Sequence, residues 1–185
     1  MNNEKPKYRR RSLRLPDYDY TQPRAYFVTI CTWKRHSLFG EVVDDTMILN
    51  RSGQVARDQW IRLSIRFPQA DFSKYIIMPN HVHGIIWITS EMMGTGDKLT
   101  DISKKSLTHR TNHKNQIALR SLGTLVRAYK SSVTWRLHTL DQSTRMPIWQ
   151  RNYYEHIIRD EQDLQNISDY IQTNPCKWEQ DQLFL

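Results

Sequence analysis

Residues 81–88 read HVHGIIWI, an apolar and largely β-branched run that directly follows the pair Pro79-Asn80. Such a run is typical of a buried strand, and Pro-Asn is typical of a tight turn. Residues 71–78, on the other side of this pair, are also rich in aromatic and β-branched side chains. The sequence therefore predicts an antiparallel hairpin, and with it a fold built around an antiparallel sheet.

Two histidines stand on the second strand of this predicted hairpin. His81 and His83 are two residues apart, so their side chains point to the same face of the sheet. Adjacent imidazoles can share one metal ion or one acidic pocket, and burying both without a partner would cost several kcal/mol. We therefore expect another group to satisfy the pair.

The remaining sequence predicts strands and helices in alternation. Strands are expected near residues 25–33, 42–49, 148–149 and 153–158, and helices over 51–66, 117–137 and 161–174. Apolar residues recur at helical spacing in 117–137, and Pro175 ends the last helix. This order predicts an α+β domain whose helices pack on an antiparallel sheet.

A chain of 185 residues fits one domain with extensions better than two full domains. Residues 1–24 are expected to form a basic arm, residues 25–178 the domain, and residues 179–185 a C-terminal tail. The polar, nearly aperiodic residues within 90–116 are expected to be a mobile insertion in that domain.

The formal net charge of +8 favours a polyanionic partner, with nucleic acid ahead of an anionic membrane surface. Cys31 and Cys176 are the two cysteines and form no CxxC motif, so neither a disulfide framework nor a zinc knuckle is indicated. No run approaches the about 18 apolar residues of a membrane span. A soluble cytoplasmic protein with no membrane partner is the expectation.

The last predicted helix carries Tyr170 and, one turn later, Asn174. Taken alone, these residues are explained by packing and by helix capping. If this helix packs on the histidine strand, two imidazoles and the Asn174 carboxamide oxygen supply three ligands for Mg²⁺ or Mn²⁺. A phenolate of Tyr170 would then stand near a metal-bound phosphate and could attack its phosphorus.

Five blocks of the chain, in this order, resemble the REP-associated tyrosine transposases. The blocks are RSLRLPDY at 11–18, AYFVTICT at 25–32, MPNHVHG at 78–84, WQRNYYEHIIR at 149–159 and DYIQTNP at 169–175. These transposases lie within the single-tyrosine (Y1) branch of the His-hydrophobic-His (HUH) endonucleases, with the IS200/IS605 insertion-sequence transposases. The resemblance covers most of the chain except the insertion and the far C-terminus.

The resemblance implies a ferredoxin-like α+β fold, an antiparallel sheet with helices on one face. It implies a metal-dependent endonuclease and strand transferase that cuts single-stranded DNA beside REP-type hairpins through a covalent 5′-phosphotyrosine. The divalent metal would be Mg²⁺ or Mn²⁺. The protein would be a monomer or homodimer in the cytoplasm, associated with the nucleoid.

Carried over by residue, the resemblance makes His81 and His83 the metal-binding pair and Tyr170 the nucleophile. Asn174 stands where the insertion-sequence relatives have a glutamine ligand four residues after their tyrosine. Asparagine also offers an amide oxygen, but its side chain is shorter than that of glutamine.

Tyr153 and Tyr154 are alternative candidates for the nucleophile. They adjoin Glu155 and His156, two side chains that can accept a proton from a phenol. If Tyr170 is the nucleophile, both of these tyrosines pack or stack. Glu155 and His156 are then expected to support the metal site.

Phosphate contacts are expected from two groups of basic residues. These are Arg9, Arg10, Arg11 and Arg14 in the arm, and Arg120, Arg127 and Lys130 on the helix predicted over 117–137. An alternative class stays open: a non-catalytic nucleic-acid-binding or regulatory protein on the same fold, with the histidines as a structural pair. An RNA-directed nuclease is a third possibility.

Overall fold

The computed structural model describes residues 19–89, 121–141, 146–181, 183 and 184. The strands are β1 (Arg24–Cys31), β2 (Gly40–Val43), β3 (Thr46–Leu49), β4 (Ala70–Asp71), β5 (Tyr75–Ile77), β6 (His81–Ile88) and β7 (Tyr154–Ile157). The helices are α1 (Arg51–Arg66), α2 (Leu122–Leu140) and α3 (Glu161–Thr173), with short 3₁₀ helices at Trp33–Arg35 and Pro175–Gln180. Most of the basic arm and all of the insertion lie outside the described residues.

The five strands of the main sheet are antiparallel. Their order is β4-β6-β1-β7, and β5 also pairs with β6. The predicted hairpin is confirmed: Ile77 pairs with Val82, and the Met78 amide donates to the His81 carbonyl at 2.9 Å. The α+β class and the antiparallel sheet are therefore both confirmed.

The stretch expected to be extended over residues 42–49 is instead a separate two-stranded hairpin of β2 and β3. Asp44 and Asp45 form its turn, with φ values of 48° and 58°. A two-residue turn with positive φ at both positions matches the twist of a hairpin, and aspartate tolerates this conformation better than most residues.

Both faces of the sheet are covered, because β1 and β6 are apolar on both sides. Tyr26, Val28 and Ile30 of β1 face a core that α1 and α2 close. Ala25 and Phe27 face the other way, into a smaller cluster closed by α3. The expectation of helices on one face holds for α1 and α2 and is wrong for α3.

Gly84 sets how closely α1 approaches β6. A Cβ atom at Gly84 would lie 2.3 Å from the Trp60 indole, which is buried and donates to the Phe72 carbonyl at 2.9 Å. The Trp60 ring therefore packs closely against β6 at Gly84, on the sheet face opposite to His83.

Helix α3 begins at the cap residue Asp160, whose side chain accepts from the Asp163 amide at 2.8 Å. It ends at Thr173 before Pro175, as predicted. Trp178 of the following 3₁₀ helix is buried and packs near His81, with ring centroids 5.9 Å apart. The C-terminal segment thus folds back over the histidine strand.

Helix α2 spans Leu122–Leu140, which confirms the predicted second long helix. It runs three residues further than expected, and residues 117–120 lie outside the described residues. Of the described helices, none combines the length and the apolar character that crossing a membrane requires.

Candidate active site

His81 and His83 lie side by side on the sheet face that α3 covers. They are 0% and 2% exposed, and their ring centroids are 4.3 Å apart. The register pairs them with Cys31 and Thr29 of β1. The predicted common face of the two histidines is thus what the strand pairing produces.

Hydrogen bonds fix the orientation of both rings. His81 Nδ1 lies 2.8 Å from Asn80 Oδ1, an oxygen that can only accept, so this nitrogen carries the proton. The His81 Nε2 lone pair then faces inward, with no hydrogen-bond partner among the described residues. His83 Nδ1 lies 2.9 Å from the Thr29 hydroxyl, which can hold the same tautomer.

Burial keeps both histidines neutral. It lowers the pKa of His81 to about 4, opposed by the charge of Asp181 and assisted by that of Arg35. Burial, followed by the charge of His81, holds the pKa of His83 well below its usual value. The neutral imidazole is the form that binds metal ions.

Helix α3 and the segment after it bring three polar side chains onto this pair. The Tyr170 hydroxyl lies 3.2 Å from His83 Nε2 and donates to Asp181 Oδ2, also at 3.2 Å. Asn174 Nδ2 donates to the same carboxylate oxygen at 3.0 Å. The helix and the strand do meet, and Tyr170, Asn174 and the histidines lie together.

The environment of Tyr170 opposes ionisation of its phenol. Burial, the negative charge of Asp181 and the hydrogen bond to that carboxylate raise the pKa of Tyr170 to about 12. The hydrogen bond with Asn174 acts in the opposite direction. A nearby positive charge would lower this pKa and so make the phenol a more effective nucleophile near neutral pH.

The donor set is compatible with a divalent metal. One ligand atom each from His81, His83 and Asp181 lies within 4.8 Å of the others. Asn174 Oδ1 is buried and, like His81 Nε2, has no hydrogen-bond partner among the described residues. Two imidazole nitrogens with amide and carboxylate oxygens suit such an ion.

A cleft of about 790 Å³ opens over His83, Tyr170, Asn174 and Asp181. Arg35 and Lys177 line it and supply positive charge. Arg35 follows β1 in a strained turn, in which Lys34 and Arg35 have φ values of 52° and 58°. Non-glycine residues adopt this conformation at a cost and often do so at functional sites.

Sequence reasoning missed Asp181, Arg35, Thr29 and Lys177. Thr29 could have been found, because strand alternation and pairing place it opposite His83. Asp181 lies within residues 179–185, which were expected to be a tail. Only the tertiary fold brings it to Tyr170.

Glu155 and His156 do not line the cleft. Glu155 pairs with Val28, so it lies on the opposite face of the sheet from the histidines. His156 lies on the histidine face, but its Nε2 pairs with Asp163 Oδ2 at 2.9 Å. This geometry does not support the expectation that Glu155 and His156 assist the metal site. Tyr153 and Tyr154, the alternative candidates for the nucleophile, do line the cleft.

The predicted DNA-binding residues differ in their surroundings. Arg127 is exposed on α2. Lys130 is half-buried, and its ammonium donates to the carbonyls of Gln150 and Arg151 at 2.6 and 3.1 Å. Burial lowers the pKa of Lys130. Lys130 therefore holds the chain before β7, which does not support a phosphate contact. Arg9, Arg10, Arg11, Arg14 and Arg120 lie outside the described residues.

No family model matches the chain. An uncharacterized protein of Haemophilus influenzae is 38% identical over 179 residues, which covers 96% of this chain and 94% of that protein. A second protein of that organism, provisionally named a REP-associated tyrosine transposase, is 60% identical over 30 residues, 16% of this chain and 17% of its own length.

Among solved structures, a REP-associated tyrosine transposase bound to a REP hairpin superposes with a TM-score of 0.55. The match has 20% sequence identity and covers 87% of this chain and 72% of that one. The two chains share a fold, which confirms the fold that the sequence blocks implied.

Proposed function

We propose that this chain, which belongs to the family of the full-length Haemophilus influenzae relative and has the fold of a REP-associated tyrosine transposase, is a DNA-processing enzyme. Its activity is that of a metal-dependent endonuclease and strand transferase for single-stranded DNA. The observation that carries the proposal is the meeting of the Tyr170 hydroxyl with His83 Nε2 and Asp181 Oδ2, each at 3.2 Å.

The substrate is single-stranded DNA beside a REP-type hairpin. The solved relative is bound to such a hairpin. In this chain the net charge of +8 favours a polyanion. Arg35 and Lys177 line the same cleft as Tyr170, so two of these positive charges border the space that a phosphodiester would occupy.

A divalent cation, Mg²⁺ or Mn²⁺, would be held by His81 Nε2, His83 Nε2 and the side-chain oxygen of Asn174, with Asp181 close enough to join them. When bound, it supplies positive charge that polarises the phosphodiester and lowers the pKa of Tyr170.

In the proposed reaction the Tyr170 oxygen attacks phosphorus, the bond from phosphorus to the 3′ oxygen breaks, and the departing 3′ oxygen takes up a proton from water. The products are a 5′-phosphotyrosine and a strand that ends in a free 3′-hydroxyl. Asp181 accepts the hydrogen bond of the phenol, so it orients Tyr170 and can receive its proton. Attack by a 3′-hydroxyl on the phosphotyrosine reverses these steps and rejoins the strands.

The first prediction is a covalent protein–DNA adduct. Wild-type protein incubated with a labelled hairpin oligonucleotide and Mn²⁺ or Mg²⁺ should give an adduct on a denaturing gel. Tyr170→Phe should abolish it, because the attacking oxygen is lost. Tyr154→Phe is the matched control: Tyr154 lines the same cleft and is exposed.

An adduct that persists in Tyr170→Phe and disappears in Tyr154→Phe would overturn the nucleophile assignment. His81→Ala should bind DNA without forming the adduct. A fully active His81→Ala protein would refute the metal role.

One observation favours the non-catalytic alternative. A phenol whose pKa is raised to about 12 is a poor nucleophile by itself. DNA binding without any adduct, at every metal concentration tested, would decide for a binding or regulatory protein on this fold.

A further inference from the structure

A second cleft adjoins the active site. It has a volume of about 770 Å³ and lies between α2 and the chain that leads to β7. Tyr153 lines this cleft and the active-site cleft as well. A single polymer could therefore run from one cleft into the other past the Tyr153 ring.

The wall formed by α2 presents a regular row of side chains. Arg127, Ser131 and Trp135 all line the cleft and are four residues apart, so they lie along one face of the helix. At a rise of 1.5 Å per residue, the row extends for about 12 Å. The cleft is thus an elongated groove along the helix axis.

The opposite wall is held firmly against α2. The Trp149 indole donates to the Lys130 carbonyl at 3.1 Å, and the Lys130 ammonium donates to the carbonyls of Gln150 and Arg151. These bonds join both walls of the groove. The site is therefore preformed, and binding of a ligand would require little further ordering of the protein backbone.

The charge of the groove suits a polyanion. Arg127 and Arg151 are exposed at its walls, and none of the described residues that line it carries a carboxylate. Three other clefts on the described part of the molecule each contain at least one carboxylate, such as Asp181, Asp160 or Asp169. The arginines would attract phosphates here, and no carboxylate among the described lining residues would repel them.

The exposure of Trp135 favours single-stranded over double-stranded nucleic acid as the ligand. Its side chain is 66% exposed, although it lines a groove walled by arginines. An exposed indole can stack on an unpaired base, whereas the bases of a duplex are already stacked on each other.

We propose that this second groove binds the single-stranded segment that flanks the hairpin, with a base stacked on Trp135 and phosphates on Arg127 and Arg151. The inference rests on the proposed function, since it concerns how the same substrate strand continues beyond the active-site cleft.

The test measures equilibrium binding of labelled DNA by fluorescence anisotropy. It uses the full chain with Tyr170→Phe, so that no covalent step contributes. One probe is a hairpin alone, and the others carry a single-stranded flank on the 5′ or the 3′ side. Trp135→Ala should weaken binding of one flanked hairpin about tenfold, the loss expected for one stacked base, and should leave the bare hairpin unchanged. Trp135→Phe should keep most of the affinity.

Two matched controls separate the groove from general effects. Trp87→Ala removes another exposed indole, 44% exposed, which lines different clefts. Arg136→Ala removes an exposed arginine from the same helix as Arg127, but Arg136 does not line the groove. Arg127→Ala should weaken binding of the flanked probe, and both controls should leave it unchanged.

Equal affinity of Trp135→Ala and its parent for both flanked probes would overturn the inference, as would an equal loss with the bare hairpin. If wild-type protein forms no adduct but Trp135→Ala still loses the flank selectively, the groove is supported and only the catalytic proposal fails.

Discussion

Asp181 contributes, after burial, to the raised pKa of Tyr170, and its replacement gives a prediction at the scale of one residue. Asp181→Asn removes the negative charge and the carboxylate hydrogen bond that help to raise the pKa of Tyr170 to about 12. Burial, the largest cause, remains. The pKa should therefore fall but stay above the usual value of about 10. Ultraviolet difference titration of metal-free protein, with Tyr170→Phe as the blank, measures it.

The sign of the effect on stability follows from this pKa. The folded pKa of Tyr170 lies above the unfolded value, so its contribution to stability is complete below about pH 10 and is lost as the pH rises towards 12. The variant should lose less stability over this range. Asp169→Asn is the control, because Asp169 bonds to Gln165; a shift as large as that of Asp181→Asn would contradict the assignment.

The residue scale also shows what a sequence can and cannot reveal. The common face of His81 and His83 follows from strand alternation alone, since the period of two is a property of the backbone. The position of Asp181 depends on how the chain turns after the 3₁₀ helix at Pro175–Gln180. No local pattern encodes the contact of Asp181 with Tyr170.

At the scale of elements, the packing of α1 on β6 depends on the absence of a side chain at Gly84. In Gly84→Ala the new Cβ would lie 2.3 Å from the Trp60 ring, so helix or strand must shift. We expect a loss of about 1–3 kcal/mol in the free energy of unfolding, the usual cost of overpacking. Urea denaturation measures it.

A double-mutant cycle supplies the control for Gly84→Ala. Trp60→Phe removes the atoms that the new Cβ would meet, so Gly84→Ala should cost less in that background than in wild type. An equal cost in both backgrounds would show that backbone conformation at residue 84, and not the indole, sets the requirement for glycine.

The sequence predicted the fold correctly for those elements that a local sequence pattern determines. Helices α1 and α3, the β5–β6 hairpin and the stop before Pro175 all follow from local patterns. The placement of α3 on the second sheet face was not predicted, although β1 contained the evidence. Its residues 25–31 form a run that is apolar on both faces, and such a strand is typical of a sheet covered on both sides.

At the scale of the whole molecule, the site depends on contacts between distant parts of the chain. Thr29 and His83 are 54 residues apart, and His83 and Tyr170 are 87 apart. Periodicity cannot predict such contacts. From the residues alone, a contact between the last helix and the histidine strand was only an assumption. The resemblance of five sequence blocks to one family made that contact an expectation.

The last prediction concerns the charge of the whole molecule and the basic arm. Replacing Arg9, Arg10 and Arg11 with glutamine lowers the formal net charge of +8 by three. If these residues bind phosphates of single-stranded DNA, the plot of log affinity against log salt should become shallower by about 2, because each contact releases about 0.7 counterion. The control variant replaces Arg57, Arg62 and Arg66, which are exposed on α1, with glutamine. It loses the same charge, but α1 covers the sheet face opposite to the histidines. Its slope should change little, and equal changes in both variants would show that net charge alone, without the arm, determines binding.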